Sequence, residues 1–122
     1  MAIRAYLVED YPNIRESLAE TLSEVAHVTV VGQADNEAEA TAWLTQNPDG
    51  WDLVIVDIFL RDGNGVGVVS SCKNRRRNQK LVVLTGYGTP EIRRLCSDLG
   101  VDVVFDKSID TDALIDYCKT LG

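Results

Sequence analysis

Five polar residues stand directly after short apolar runs: Glu9 and Asp10, Asp57, Thr85 and Lys107. Carboxylate, hydroxyl and ammonium groups at those stations suit one kind of chemistry, the transfer of a small anion onto a carboxylate. If the runs are parallel strands, right-handed crossovers bring the residues that follow them to one edge, where open α/β sheets bind ligands. Three carboxylates crowded there repel one another, so either a pKa rises or a cation binds. Mg2+ suits such an all-oxygen set, because it takes carboxylate and phosphate oxygens and keeps several waters, and no His or Cys is spaced to hold zinc. In that pocket Asp57 is the candidate nucleophile, Lys107 and the metal neutralise phosphoryl oxygens, and the Thr85 hydroxyl donates a hydrogen bond. Each residue has a plainer reading: Asp57 as a helix cap, Lys107 as a surface lysine, Thr85 as a β-branched strand residue. Convergence at one rim is what favours the chemical reading.

The elements that must position these groups follow from hydropathy patterning. Strand-length apolar runs cover Ile3 to Glu9, Val28 to Val31, Leu53 to Val56, Leu81 to Leu84 and Val101 to Phe105. Leu53-Val54-Ile55-Val56 does not alternate, so that strand is covered on both faces. Between the runs lie helical stripes: Ile14, Leu18, Leu22 and Val25; then Ala40, Trp43 and Leu44; then Ile92, Leu95, Cys96 and Leu99; and last Leu114, Cys118 and Leu121. Helix starts are marked by Pro12, by Asn36 with Glu39, by Thr89-Pro90-Glu91 and by Asp110, and Gly100 marks a stop. The third helix, which contains Gly65 and Gly67, is weak by propensity and must be held by packing. Alternating strands and helices predict βαβ units with a parallel sheet, an α/β fold of five units filling residues 1–122 as one domain.

Composition narrows the function classes. A net charge of −7 argues against direct nucleic-acid binding, which needs clustered Lys and Arg. The basic run Lys73, Arg75, Arg76, Arg77 and Lys80 is expected to be a solvated helix end, with a docking patch for an acidic partner as its rival. Cys72, Cys96 and Cys118 lie in apolar helical patterns and read as buried thiols of a reducing, cytoplasmic setting. No run approaches the roughly 18 apolar residues of a membrane span, so no membrane partner is expected. His27, the sole histidine, is expected away from the acidic rim, which removes a Ser-His-Asp hydrolase.

Glu9-Asp10, the run ending at Asp57, Asp62-Gly63, Thr85-Gly86 and Lys107 together resemble the response-regulator receiver family of two-component signalling, over the whole chain. The resemblance implies a flavodoxin-like doubly wound (βα)5 fold with strand order 2-1-3-4-5. It implies Asp57 as phosphoacceptor, Asp10 as a direct Mg2+ ligand, Glu9 acting through water and the backbone carbonyl of Phe59 as a further ligand. Thr85 and Lys107 would contact the phosphoryl oxygens, and Phe105 would be the rotating aromatic next to Thr85. The donor would be a sensor histidine kinase, a phosphotransfer protein or a small acyl phosphate, and the output a protein target met by the face of helix 4, strand 5 and helix 5. Such a chain is not an enzyme, apart from catalysing its own phosphorylation and dephosphorylation.

Departures from the family pattern carry their own expectations. Ser108 replaces a proline, so the Lys107–Ser108 bond is expected trans or strained, and Arg61 replaces another, which should loosen the loop after Asp57. Phe59 and Tyr87 would tune access of water to a phosphoaspartate. With no output module after Lys119-Thr120-Leu121-Gly122, the chain would act by contact, unless it is the receiver fragment of a longer regulator. Other readings remain: a flavodoxin-like cofactor binder, disfavoured by acids where a phosphate loop is needed; an aspartate phosphatase, which needs an Asp where Phe59 stands; and a degenerate receiver working without phosphate.

Overall fold

Ten elements alternate along the chain in the computed structural model, which describes residues 2–121. They are β1 (Ile3–Val8), α1 (Pro12–Val25), β2 (Val28–Ala34), α2 (Glu37–Gln46), β3 (Leu53–Val56), α3 (Gly65–Ser71), β4 (Lys80–Thr85), α4 (Pro90–Asp98), β5 (Val103–Asp106) and α5 (Thr111–Leu121). All neighbouring strands pair in parallel, in the order β2-β1-β3-β4-β5. This is the expected flavodoxin-like arrangement.

Strand alternation divides the core into two layers. Tyr6, Val8, Val54, Val56, Leu81 and Val83 face one way, against Ala40 and Leu44 of α2, Val68 and Val69 of α3 and Cys96 of α4. Ala5, Leu7, Leu53, Ile55, Val82 and Leu84 face the other way, against Leu18 and Leu22 of α1 and Leu114 and Cys118 of α5. β3 is buried along its whole length, as a central strand covered on both faces must be. Each buried Val or Leu there contributes about 1.5–3 kcal/mol relative to exposure.

Local chemistry sets the helix ends. Asn36 caps α2 by accepting from Glu39 N–H at 2.8 Å, and Thr89 caps α4 by accepting from Ile92 N–H at 3.3 Å. Gly100, with φ +85°, ends α4 as expected. Asp110 stands at the start of α5, where its carbonyl accepts from Leu114 N–H, while its carboxylate is turned to the backbone N–H of Asp106 and to Arg93. The apolar stripes are narrower than expected, for Ile14 and Val25 on α1 and Leu95 on α4 are exposed. All three cysteines are free and buried, and burial pushes the Cys72 and Cys118 thiols up to about 11. Among the described residues no helix is long and apolar enough to cross a membrane.

The basic run is partly structural. Arg75 is largely buried and donates to the carbonyls of Cys72, Gln79 and Gly100 and to the Asp102 carboxylate, so it binds the α3–β4 connection to the start of β5. Lys73 and Arg77 remain exposed. His27 directly precedes β2, exposed and with φ 54°.

Candidate functional site

The carboxyl ends of β1 and β3 are adjacent in the sheet, which brings Glu9, Asp10 and Asp57 together. One carboxylate oxygen from each lies within 4.8 Å of the others, and all three residues are buried. Lys107, directly after β5, reaches back across the end of β4 and donates from Nζ to Asp57 Oδ2 at 2.8 Å and to Glu9 Oε1. Burial alone would lower the Lys107 pKa, but its bonds to Asp57 and Glu9 outweigh that and raise it above the usual lysine range. Burial raises the Glu9 carboxyl, against the opposing pull of Lys107. A crowded acidic site thus shows both responses open to it, a raised pKa and a recruited cation.

Two oxygens remain unsatisfied. Glu9 Oε2 and Asp10 Oδ1 are buried without a hydrogen-bond partner among the described residues, a costly state unless another group supplies the interaction. Hard oxygen donors of this kind fit a divalent cation such as Mg2+.

Thr85 ends β4, fully buried, and its hydroxyl accepts from Tyr87 N–H at 3.2 Å. The Lys107 N–H donates to the Thr85 carbonyl at 2.8 Å. The structure therefore joins Glu9, Asp10, Asp57 and Lys107 directly, with Thr85 at the neighbouring strand end. Peptide bonds are trans throughout the described residues, Lys107–Ser108 included.

Phe105 requires a correction. Leu84 pairs with Phe105 and Thr85 with Asp106, so Phe105 faces away from the side of the sheet that Thr85 faces. It packs in the α1–α5 layer and makes an edge contact with Tyr117 at 5.9 Å between ring centroids. The β5 residue packed toward α4 is Val104, a small aliphatic side chain. A one-residue shift in strand parity exchanges the two faces, and the aromatic identity of Phe105 masked that shift.

The loop after Asp57 also differs from expectation, being tied at several points instead of loose. Phe59 N–H donates to Asp57 Oδ1 at 3.0 Å and Arg61 N–H to Asp10 Oδ2 at 2.7 Å. Asn64 N–H donates to Glu37 Oε1 at 2.7 Å, and Gly65 N–H to the Ile58 carbonyl at 3.1 Å. A proline at position 61 would have no N–H for Asp10. Around the pocket mouth, Phe59 and Tyr87 are exposed and meet edge to face at 5.2 Å, while the Arg61 guanidinium lies 4.5 Å above the Tyr11 ring.

Further polar residues organise the β4–α4 loop. Asp106 Oδ2 accepts from Gly88 N–H at 3.1 Å, and Arg93 donates to the carbonyls of Gly88 and Val104, each at 3.0 Å. Sequence reasoning missed Asp106 and Arg93. Adjacency of Asp106 to Lys107 was the available signal, since a residue beside a strand-end lysine faces the neighbouring loop.

The family model for the response regulator receiver domain matches residues 5–119. The chain is 30% identical over 90 residues to the DNA-binding transcriptional activator DevR/DosR of Mycobacterium tuberculosis, covering 73% of this chain and 40% of that protein. It is 31% identical over 119 residues to the transcriptional regulatory protein CusR of Escherichia coli, covering 98% of this chain and 51% of that one. The chain thus spans about half or less of the length of these relatives. A crystal structure of a DNA-binding response regulator of the LuxR family from Staphylococcus aureus shares the fold, with TM-score 0.84, 17% identity and 98% of both chains covered. With its five parallel strands, its acidic cluster and a family match over nearly its whole length, the chain belongs to the response regulator receiver domain family.

Proposed function

We propose that residues 1–122 work as one receiver unit in which Asp57 accepts a phosphoryl group from a histidine of a sensor kinase or phosphotransfer protein. The Lys107 ammonium, 2.8 Å from Asp57 and beside two unsatisfied carboxylate oxygens, is the observation that carries this reading. An Asp57 oxygen forms the new P–O bond as the donor P–N bond breaks. The electron pair stays on the imidazole nitrogen, which takes up a proton from solvent. Lys107, bonded to the Asp57 carboxylate, then faces the transferred oxygens, and the buried Thr85 hydroxyl is at hand to donate to one of them. Asp10 and Asp57 would hold Mg2+ directly, Glu9 through water, with the Phe59 carbonyl as a further ligand; when bound, the ion supplies charge neutralisation at the phosphoryl oxygens. Autophosphorylation by small acyl phosphates and self-dephosphorylation are the only catalysis proposed.

The setting is cytoplasmic, and the output is a protein met through α4, β5 and α5. Because the chain covers only part of its relatives' length, an output region elsewhere in a longer regulator is an equally good carrier of the signal. A receiver that signals without phosphate is the second reading; the intact set Asp10, Asp57, Thr85 and Lys107 favours the first. The test is intact mass after incubation with acetyl phosphate and Mg2+. Wild type should gain one phosphoryl group and Asp57→Asn none; an unmodified wild type would leave the phosphate-independent reading.

A further inference from the structure

Arg61 is held at the mouth of the acidic pocket by three contacts of different kinds. Its backbone N–H donates to Asp10 Oδ2 at 2.7 Å, its Nε lies 3.8 Å from that same oxygen, and its guanidinium stacks 4.5 Å over the Tyr11 ring. The Asp10 side chain is only 5% exposed, whereas that of Arg61 is 67% exposed. The other Asp10 oxygen, Oδ1, is buried and has no partner among the described residues. One carboxylate therefore has one oxygen shared with a resident cation and one left open.

We propose that Arg61 is a built-in competitor for the divalent cation, occupying Asp10 in the metal-free protein and lowering the pocket's affinity for Mg2+. This rests on the reading of the pocket as a Mg2+ site. Two features make Arg61 suited to the part. It carries a planar guanidinium, a permanent charge that is less strongly hydrated than an ammonium. Its side chain is bound loosely enough to leave: 3.8 Å is too long for a hydrogen bond, and most of the guanidinium already faces water. A tight, buried pair would close the pocket, while this arrangement sets a threshold. Tyr11 keeps the guanidinium over the pocket between excursions, since a cation over an aromatic face is attracted to the ring quadrupole. The backbone N–H bond to Asp10 survives any substitution but proline, so charge can be varied while the loop stays tied.

The test is Mg2+ titration of the metal-free protein by isothermal calorimetry at low ionic strength. Arg61→Gln and Arg61→Ala should bind about three- to tenfold more tightly than wild type, and Arg61→Lys should stay near wild type. The advantage of Arg61→Gln should shrink in about 1 M salt, where screening acts over roughly 3 Å. Tyr11→Leu should move in the same direction as Arg61→Gln and less far. A purely structural Arg61 would change thermal stability without making affinity follow the charge. Equal or weaker Mg2+ binding by both neutral variants overturns the proposal, as does Arg61→Lys behaving like Arg61→Ala. Wild type that binds no Mg2+ and takes no phosphoryl group would instead overturn the function on which the proposal rests.

Discussion

The Asp57 carboxylate is bonded to the Lys107 ammonium and to the backbone N–H of Phe59, and aromatic side chains stand at the mouth of its pocket. Phe59 and Tyr87 are both exposed and in edge contact over the pocket mouth, and on the proposed function they would narrow the path by which water reaches a phosphoryl group on Asp57. Replacing them together, as Phe59→Asn with Tyr87→Ser, should shorten the phosphoryl lifetime several-fold, read as the decay of phosphorylated mass after donor removal. An unchanged lifetime would show that water arrives by another route. The pocket residues Glu9, Asp10, Asp57, Thr85 and Lys107 were legible in the sequence because acid, hydroxyl and ammonium groups at strand ends declare themselves by type. Arg61, Tyr11, Arg93 and Asp106 were not, because their roles depend on contacts between loops that are distant in the chain. Phe105 shows the opposite failure: its type suggested a role that its parity on β5 denies it.

Elements are set by burial first and by local signals second. β3 was legible to the residue because four apolar residues in a row admit a single covered strand. β2 extends to Ala34, past Gly32, since pairing with β1 overrides the local turn tendency of glycine. β5 begins at Val103 instead of Val101; just before it, the Asp102 N–H donates to the Leu81 carbonyl while its carboxylate is engaged by Leu81 N–H and Arg75. At the start of α3, Gly65 lies directly against the backbone that follows β3. A Cβ there would sit 2.3 Å from the Asp57 carbonyl oxygen and 2.5 Å from Ile58 Cα. Alanine would gain up to about 1 kcal/mol in helix propensity, but a clash with backbone cannot be relieved by a rotamer change. Gly65→Ala should therefore destabilise the domain by about 2 kcal/mol, read as a lower urea midpoint. A midpoint equal to that of wild type would mean that α3 can slide away from β3.

The two ends of the sheet have different duties. Chemistry gathers at the carboxyl ends, and at the opposite rim Asp52 clips three strands together: its carboxylate accepts from Arg4 N at 2.8 Å and from Arg4 Nε at 3.1 Å, its N–H donates to the Arg4 carbonyl, and its carbonyl accepts from Lys80 N–H. The Arg4 hydrogen bonds hold the Asp52 carboxyl below the usual carboxylate range. A group with a depressed folded pKa stabilises the fold above its unfolded pKa and loses that contribution as pH falls through the folded value. Asp52→Asn should thus cost about 1 kcal/mol at neutral pH, a modest figure because the pair is partly solvent-screened. The gap from wild type should narrow in urea titrations carried from pH 7 down toward about pH 3; a gap that holds at acid pH would rule out the charge as its source. At the chemical end, one geometric feature bears on the whole molecule. Lys107 N–H holds the Thr85 carbonyl while Asp106 holds Gly88 N–H, so Thr85 to Gly88 and Asp106-Lys107 close into a small ring of covalent and hydrogen bonds. Such a ring couples the backbone at Lys107 to the loop that enters α4, so a displacement of either strand end is felt by the other through two hydrogen bonds instead of through a rotating aromatic side chain.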